Sequence, residues 1–359
     1  MQKLKVHHLS HIDLDGYGCQ LVAKNYFENI EFYNSNYGKE IEHRLKTLMA
    51  NIQKENIECM ILITDLNLTR DQAKNLDEWV KTKDNVTILL LDHHITGKFC
   101  SQTYDWYFLD DKRCATLITY EYFSFKYGAN EELELFSKVV NAVDIWKDRD
   151  QYFELGKVCM KLISDAREIN KNMFPRKNVE YRFSLMKGAM NYFTSAKANI
   201  KLDDKIHQLK KNFFKIDKND TLDNLVANYM VKLLAEKQDD LTIYFNGQKG
   251  LLTWGVGSIS VIGNLFLVKN PEFAFFIDIS SKKAISLRAN NRLDVAQLAK
   301  DLAGGGGHKN ASGAYIKNLK DSFEYKDLKK QISGMLKEVE IRTKYESIKP
   351  LSNGININI

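Results

Sequence analysis

The first 145 residues alternate short apolar runs with stretches of helical periodicity, which is the pattern of β-α-β units. Residues 3–9, 59–63 and 86–91 are predicted to be strands. The second and third runs are continuously apolar, as expected of strands covered on both faces in a parallel sheet. Apolar residues at helical spacing predict helices in ranges 41–52, 69–82, 114–127 and 132–146. This part is therefore predicted to be an α/β domain with a parallel sheet.

Residues 151–236 show no strand pattern, and their apolar positions recur at helical spacing. Leu202, Ile206, Leu209 and Phe213 predict one amphipathic helix, and a similar spacing follows in range 222–233. Interleaved lysines and aromatic residues would suit nucleic-acid contact, but solvent-exposed helix faces explain them as well. We expect a catalytic domain with a helical annex over 1–195 and a helical connector over 196–236.

Strand patterns return in the last third of the chain. They cover ranges 241–245, 251–254, 273–278 and 284–288, and helical patterns cover 260–268 and 294–302. This order predicts a second, smaller α/β domain over residues 237–340. The polar residues 341–359 are expected to be a tail.

Composition and charge narrow the class of protein. The 359 residues suit two domains, and 44% hydrophobic with 27% charged residues excludes a disordered or fibrous chain. No apolar run is long enough to span a membrane, and no signal peptide is evident, so we expect a cytoplasmic protein. Five scattered cysteines indicate reduced thiols, not a disulfide framework or a zinc site. The net charge of +6 suits an anionic substrate.

Polar residues directly follow the first predicted strand. His11, Asp13 and Asp15 lie at alternate positions and are followed by Gly16. Nitrogen and oxygen donors without a thiolate are typical ligands of a divalent metal ion. The alternative is structural: Asp15 would cap a helix, and Gly16 would ease the turn into it. The motif by itself leaves both interpretations open.

The next two strands also end in potential ligands. Asp65 follows the second, and Asp92, His93 and His94 follow the third. Each could be a cap, a loop residue or an incidental pair. However, ligands of open parallel sheets bind outside the carboxyl ends of the strands, and three successive strands end in Asp or His. Asp144, in an apolar context, is a further candidate, and Asp148 and Asp150 compete with it for this role.

These residues offer more ligands than one ion needs, and four of them are carboxylates. Two ions bridged by a shared aspartate would fit the number, and two-metal sites catalyse phosphoryl transfer by activating water and neutralising charge. Manganese accepts a mixed histidine and carboxylate set more readily than magnesium does. The predicted metal ligands are His11, Asp13, Asp15, Asp65, His93 and Asp144.

A glycine-rich segment in the second domain is a candidate anion site. Glycines allow close approach of backbone amides to an anion, and the following side chains add donors. The alternative is a flexible loop after a helix C-cap. Arg288 could bind a phosphate through two hydrogen bonds, although a single arginine is usually a surface residue. The predicted substrate-binding residues are Arg288, Gly304, Gly305, Gly306, Gly307, His308, Asn310 and Ser312, with Lys309 adjacent.

Three motifs follow one another along the chain: His-x-Asp-x-Asp-Gly, Asp-His-His and Gly-Gly-Gly-His. In this order they resemble the DHH phosphoesterase family with its DHH-associated C-terminal domain. The segment from Ser10 to Gly18 is most similar to the oligoribonuclease (nanoRNase) branch. The resemblance implies two manganese ions bridged by Asp65, one also held by His11 and Asp13. The other would be held by Asp15, His93 and Asp144. It further implies that Asp92 supports the ligands, that His94 faces the phosphate, and that the second domain holds the substrate's terminal phosphate or nucleotide.

We therefore expect a manganese-dependent hydrolase, a phosphodiesterase that trims very short RNA to mononucleotides in RNA degradation. Within the family, the alternatives are hydrolysis of signalling dinucleotides or of 3′-phosphoadenosine 5′-phosphate. A single-strand exonuclease is a weaker alternative, because no additional strand-binding domain is evident. A non-catalytic nucleotide sensor would have lost metal ligands, and none is missing. The expected partners are short RNA oligonucleotides or dinucleotides, and no association with a membrane is expected. Formation of a homodimer is compatible with the chain.

Overall fold

The computed structural model describes residues 4–55, 57–216 and 219–348. The chain divides between Lys215 and Ile216 into two compact units, called unit one (Met1–Lys215) and unit two (Ile216–Ile359). This division falls inside the predicted connector 196–236, so its two helices belong to different units. Within the described ranges, no helix combines the length and apolar character needed to cross a membrane. Of the predicted tail, residues 349–359 lie outside the described residues.

Unit one contains the predicted parallel sheet. Its strands are β1 (Lys5–Ser10), β2 (Ile30–Asn34), β3 (Cys59–Thr64), β4 (Val86–Asp92) and β5 (Tyr107–Leu109). They are ordered β2-β1-β3-β4-β5, and every pair is parallel. Strands β1, β3 and β4 were predicted from the apolar runs, whereas the edge strands β2 and β5 were not. Edge strand β2 is only half-buried, and β5 has too few residues to show a period.

Nine helices of unit one flank or extend this sheet in the described part of the chain. They are α1 (Leu14–Tyr26), α2 (Lys39–Lys54), α3 (Arg70–Lys81), α4 (Lys98–Thr103), α5 (Ala115–Tyr127), α6 (Glu131–Asp144), α7 (Phe153–Ser164), α8 (Pro175–Met190) and α9 (Ala198–Phe214). The apolar face of α2 illustrates why they form: Ile41, Leu45, Leu48 and Ile52 are buried together against the sheet.

The strand register determines where the chemistry of unit one lies. Ser10 is paired with Thr64, and Thr64 with Leu91, so β1, β3 and β4 end at the same level. The residues that follow these strands therefore share one edge of the sheet. We call it the carboxyl edge.

Unit two is built on a mixed sheet flanked by helices. The elements are α10 (Leu222–Glu236), α11 (Gln238–Leu241), β6 (Thr242–Phe245), β7 (Gln248–Trp254), α12 (Ile259–Lys269), β8 (Phe275–Ile279), β9 (Ala284–Ala289), α13 (Val295–Ala303), β10 (Gly306–His308), β11 (Ala311–Tyr315) and α14 (Tyr325–Ile348). The strand order is β10-β11-β9-β8-β7-β6, and only β7 and β8 pair in parallel among the described strands. The glycine run is not simply a flexible loop, because part of it forms β10.

Candidate active site

The two aspartates after β1 have different structural roles. Asp13 caps α1, because its side chain accepts the Gly16 amide proton at 3.0 Å. The alternative interpretation that Asp15 is this cap is therefore wrong. Gly16 is required for packing: a Cβ there would lie 2.4 Å from the backbone oxygen of His11. The motif thus combines a helix start with three potential ligands.

Asp15 instead lies at the amino end of α5, one hundred residues further along the chain. Its two carboxylate oxygens accept the amide protons of Ala115 and Thr116 at 2.8 and 2.7 Å. The residue before α5, Cys114, provides no side-chain cap, so Asp15 satisfies these amides. The positive end of the helix dipole stabilises the carboxylate. Asp15 is therefore held in one orientation at the carboxyl edge.

Asp65 lies at the centre of the site with its two oxygens directed to different histidines. Oδ2 is 3.7 Å from Nδ1 of His11, and Oδ1 is 3.4 Å from Nε2 of His93. The side chain is 2% exposed, and its backbone adopts a left-handed conformation with φ of 55°. Such strained backbone is concentrated at functional sites. A carboxylate facing two groups in this way can bridge two cations.

His93 connects Asp65 to the two remaining carboxylates. Its Nε2 lies 3.7 Å from Asp15 Oδ2 and 3.6 Å from Asp144 Oδ2. Ligand atoms also converge within 4.8 Å of one another in three triads: His11, Asp13 and Asp65; Asp65, His93 and His94; Asp15, Cys114 and Asp144. The six predicted ligands thus converge in the structure, and we call them the metal-ligand cluster. Within the described residues, Asp148 and Asp150 belong to no such triad.

The metal-ligand cluster has the electrostatics of a cation site. Burial, together with the charges of Asp15 and Asp13, raises the pKa of Asp65 well above its usual range. The same causes raise the pKa of Asp144 to about 9. Oδ2 of Asp65 and Oδ2 of Asp144 are buried and accept no hydrogen bond. Buried carboxylate oxygens without a partner are costly unless they bind a cation, so these residues fit divalent metal ions.

A hydrogen-bonded chain lies beside the metal-ligand cluster. His94 Nδ1 is 2.7 Å from Asp92 Oδ1, and Asp92 Oδ2 accepts the Tyr107 hydroxyl at 3.0 Å. The other ring nitrogen of His94 lies 2.9 Å from the Tyr37 hydroxyl. Burial disfavours the charged imidazole, but the hydrogen bond and charge of Asp92 raise the pKa of His94. The chain holds the His94 ring in place and favours its protonated form.

Tyr37 and Cys114 lie beside the metal-ligand cluster but are not among the predicted site residues. Tyr37 lies between β2 and α2 in a segment without periodicity, so the sequence carried no signal for it. Its ring lies 4.8 Å from that of His11 between centroids. Cys114 is near two carboxylates, but burial raises the pKa of its thiol well above the usual range. Its soft sulfur also matches poorly with ions that prefer the surrounding carboxylates, so we do not assign it as a ligand.

A separate group of His7, Glu55 and Cys59 also brings ligand atoms within 4.8 Å of one another. It lies near the amino ends of β1 and β3, away from the carboxyl edge. Lys5 hydrogen-bonds to Glu55 and lies 3.2 Å from Glu31. The lysine already supplies a cation at this position, so the group does not require a metal.

Unit two places Arg288 and His308 on one face of its sheet. His308 is paired with Ala311, and Ala311 is paired with Arg288, so the three residues form one row across β10, β11 and β9. Paired residues of antiparallel strands point to the same face, and the two outer backbones are about 10 Å apart. Arg288 Nη2 donates to Ser260 Oγ at 2.7 Å in the first turn of α12. Arg288 and His308 are both donors that suit phosphate, and the residue between them in the row, Ala311, is small.

The four glycines from Gly304 to Gly307 differ in how strictly the structure requires a glycine. Gly304 ends α13 in a left-handed conformation with φ of 66°. A Cβ on Gly305 would lie 2.2 Å from the Gly313 oxygen, and one on Gly307 would lie 2.6 Å from the Ala311 oxygen. A Cβ on Gly306 would meet no described atom within 4 Å. Gly306 therefore has no packing reason to be glycine, and its open side is available to a ligand.

Asn310 and Ser312 hydrogen-bond within unit two. Asn310 accepts the Asn291 amide proton and donates to the Asn291 side chain, both at 2.8 Å. Ser312, one residue after Ala311, points to the opposite face and donates to Val295 O at 2.6 Å. Their predicted contact with substrate stays a prediction. In the structure, they hold the hairpin and α13 in place.

Comparison with known proteins shows which family the chain resembles. Residues 261–340 match the DHHA1 domain model. The chain is 42% identical over 340 residues to the 3′,5′-cyclic-nucleotide phosphodiesterase of Helicobacter pylori (strain ATCC 700392 / 26695), covering 92% of this chain and 98% of that protein. It is 26% identical over 327 residues to the oligoribonuclease NrnB of Bacillus subtilis (strain 168), covering 86% of this chain and 72% of that protein.

A solved structure supports the same relationship. The crystal structure of an uncharacterized protein from Helicobacter pylori G27 is similar with a TM-score of 0.88 and 42% identity, covering 93% of this chain and 99% of that one. The predicted family and fold class are confirmed. The chain belongs to the DHH phosphoesterase family and is a phosphodiesterase whose second unit contains a DHHA1 domain.

Proposed function

We propose that this phosphodiesterase depends on manganese and hydrolyses very short RNA oligonucleotides to mononucleotides. The observation that carries the proposal is the presence in one chain of a metal-ligand cluster and of a separate pair of phosphate-suited donors. Unit one contains the metal-ligand cluster, and unit two contains the row formed by Arg288, Ala311 and His308. A linear oligonucleotide offers a phosphodiester that suits the first group and a terminal phosphate that suits the second.

The residues of unit one have distinct tasks in this proposal. His11, Asp13 and Asp65 would hold one ion, and Asp15, Asp65, His93 and Asp144 would hold the other. Two bound divalent ions make water nucleophilic at neutral pH and neutralise charge on the phosphorus oxygens. Two histidine ligands among carboxylates suit manganese better than magnesium. The amides of α5 keep Asp15 oriented for this task.

His94 would place the positive charge of its ring beside a phosphate oxygen, because Asp92 and Tyr37 already occupy its two ring nitrogens. Asp92 raises the pKa of His94, which favours the doubly protonated ring. Tyr107 and Tyr37 fix the ends of the hydrogen-bonded chain that orients the ring. A positive charge beside a phosphate oxygen would contribute more in the transition state, where negative charge accumulates. Asp92 thus acts through His94 and not on the substrate.

A second candidate function is hydrolysis of 3′,5′-cyclic nucleotides. The observation that favours it is the 42% identity to a protein of that name, which exceeds the 26% identity to the oligoribonuclease. A cyclic mononucleotide has a single phosphate, which the metal-ligand cluster would bind. It would leave Arg288 and His308 without an anion. The two functions therefore differ in their dependence on unit two.

The test compares end-labelled RNAs of two to about twenty nucleotides with 3′,5′-cyclic nucleotides, each with manganese. We expect RNAs of two to roughly five nucleotides to be cleaved fastest and the reaction to stop in excess chelator. Loss of one hydrogen bond to a charged group costs about 1.5–3 kcal/mol, so His308→Ala should lose roughly ten- to a hundredfold in kcat/KM on short RNA. Equal activity of His308→Ala on short RNA, with cyclic nucleotides preferred, would support the second function instead. Faster processive digestion of long strands would indicate an exonuclease.

A further inference from the structure

Trp146 occupies a backbone position that ordinarily favours glycine. Helix α6 ends at Asp144, and the following amides fold back: Trp146 N–H donates to Val143 O at 3.3 Å, and Lys147 N–H donates to Ala142 O at 2.8 Å. These two bonds form a Schellman motif, whose left-handed residue is usually glycine. Trp146 has φ of 54° there. A side chain with a Cβ is disfavoured in this conformation, and a bulky one is a true outlier.

Burial does not compensate for this backbone conformation. The Trp146 side chain is 64% exposed, so most of its apolar surface faces solvent. Its ring meets Phe153 edge-to-face, with centroids 5.1 Å apart and an interplanar angle of 81°. This contact restrains the ring, and the exposure of Trp146 leaves much of the indole open to solvent. The ring also lines an open surface depression of about 360 Å³ with Glu154, Lys157 and Asn199.

The position of Trp146 connects it to the metal-ligand cluster. It follows Asp144 by two residues, so the two Cα atoms are at most about 7 Å apart. Six non-glycine residues have a positive φ in the described part of the chain, and Trp146 is the only aromatic one. Another of the six is Asp65, at the centre of the cluster. A local rule broken without a structural gain indicates a functional constraint.

We propose that Trp146 is a stacking platform for a nucleobase of the nucleotide whose phosphate lies at the metal-ligand cluster. Every base has a π-face, so an exposed and immobilised indole binds bases with little sequence preference. The inference rests on the proposed function, since it names the nucleobase as a recognised part of that substrate. It adds a contact in unit one that requires the base and not the phosphate.

The test compares Trp146→Ala and Trp146→Phe with the unchanged protein on a 5′-phosphorylated dinucleotide. Matched analogues in which one base or the other is replaced by hydrogen serve as substrates without a stacking partner. We expect Trp146→Ala to lose roughly ten- to a hundredfold in kcat/KM, equal to about 1.4–2.8 kcal/mol at 1.4 kcal/mol per tenfold. On the analogue lacking the stacked base, it should match the unchanged protein. Trp146→Phe should recover most of the loss, and manganese affinity should not change.

Phe125→Ala is the matched control, because Phe125 is an exposed aromatic residue of α5 in the same unit; it should leave every rate unchanged. Trp146→Gly tests for a merely structural role: glycine suits the backbone, so the midpoint of thermal unfolding should not fall, whereas base-dependent activity should. Equal kcat/KM of Trp146→Ala and the unchanged protein on the dinucleotide would overturn the inference. If the unchanged protein hydrolyses no nucleotide, the proposed function fails. In that case, quenching of tryptophan fluorescence by adenosine monophosphate, expected to be lost in Trp146→Phe, still tests the stacking.

Discussion

The Tyr37 hydroxyl lies 2.9 Å from Nε2 of His94, the ring nitrogen opposite the one that meets Asp92. The His94 ring is thus held from both sides before any substrate binds. Tyr37→Phe removes one of these two hydrogen bonds and keeps the aromatic ring. Because a typical hydrogen bond contributes about 0.5–1.5 kcal/mol, we expect kcat to fall roughly two- to tenfold. Steady-state kinetics on a short RNA measures this.

Two comparisons make the Tyr37 prediction specific. Manganese affinity should be unchanged, since Tyr37 is not a proposed ligand. Tyr122→Phe, a change on the exposed side of α5, should leave kcat unaltered. A Tyr37→Phe protein with full kcat would show that His94 does not need the second hydrogen bond.

Asp65→Asn should nearly abolish activity, because Asp65 is the proposed bridging ligand. Residues that only support metal ligands typically contribute 10- to 100-fold, so we expect a loss above about 100-fold. Asparagine tolerates left-handed backbone, so φ of 55° should be retained and the fold preserved. Asp71→Asn, an exposed carboxylate in the first turn of α3, is the control. Steady-state kinetics and metal analysis of the purified proteins measure this loss. Retained activity of Asp65→Asn would exclude Asp65 as a bridging metal ligand.

Metal binding should release protons. Without metal, burial raises the pKa of Asp144 to about 9, so this carboxylate holds a proton at neutral pH, and the pKa of Asp65 is raised as well. A cation binds the deprotonated form, so apparent affinity should increase as pH rises toward about 9. Manganese titrations by calorimetry at pH 7, in buffers of different ionisation enthalpy, count the released protons. The Asp144→Asn protein should release fewer protons when manganese binds. Binding heats that are the same in every buffer would contradict the prediction.

His8 should make the protein less stable in acid. Its ring is fully buried, Nδ1 has no hydrogen-bond partner, and burial lowers its pKa to about 3. Between pH 6.5 and 3, the unfolded chain therefore binds a proton that the folded chain does not, and stability falls as pH falls. The slope approaches about 1.4 kcal/mol per pH unit. Urea unfolding at pH 4 to 7 should show a shallower dependence for His8→Gln, and parallel curves would refute this role.

The glycine run allows a matched pair of substitutions. Gly305→Ala would place a methyl group 2.2 Å from the Gly313 oxygen, so we expect a loss of about 1–3 kcal/mol in unfolding free energy. Gly306→Ala meets no described atom and should leave stability unchanged. If substrate phosphate approaches the Gly306 amide, the same change should raise KM on short RNA. Thermal unfolding and kinetics of the two variants separate packing from binding, and an unaltered KM in Gly306→Ala would place the phosphate elsewhere.

The main features of the metal-ligand cluster could be predicted from sequence. Continuous apolar runs marked β1, β3 and β4, and parallel strands bring their carboxyl ends to one edge. The residues that follow each run, His11, Asp65 and His93, therefore had to lie close together. The hydrophobic pattern and the direction of the strands are sufficient to predict this proximity.

The roles within the site depended on contacts between distant segments. Asp15 was interpretable as a cap from its neighbours, but it instead binds the amides of α5, which the fold alone brings there. Tyr37 reaches His94 from a segment without any periodicity. Pattern reasoning cannot detect such contacts, because they depend on where irregular backbone lies in space.

In unit two, the residue types alone identify the candidate donors, but pairing between strands sets their arrangement. Arg288 and His308 were candidates by residue type, but only the register of β10, β11 and β9 places them in one row. The same register turns Ser312 to the opposite face, because successive residues of a strand alternate. A shift of one residue would exchange these faces, and register is determined by pairing between strands, which a linear pattern of residues does not contain.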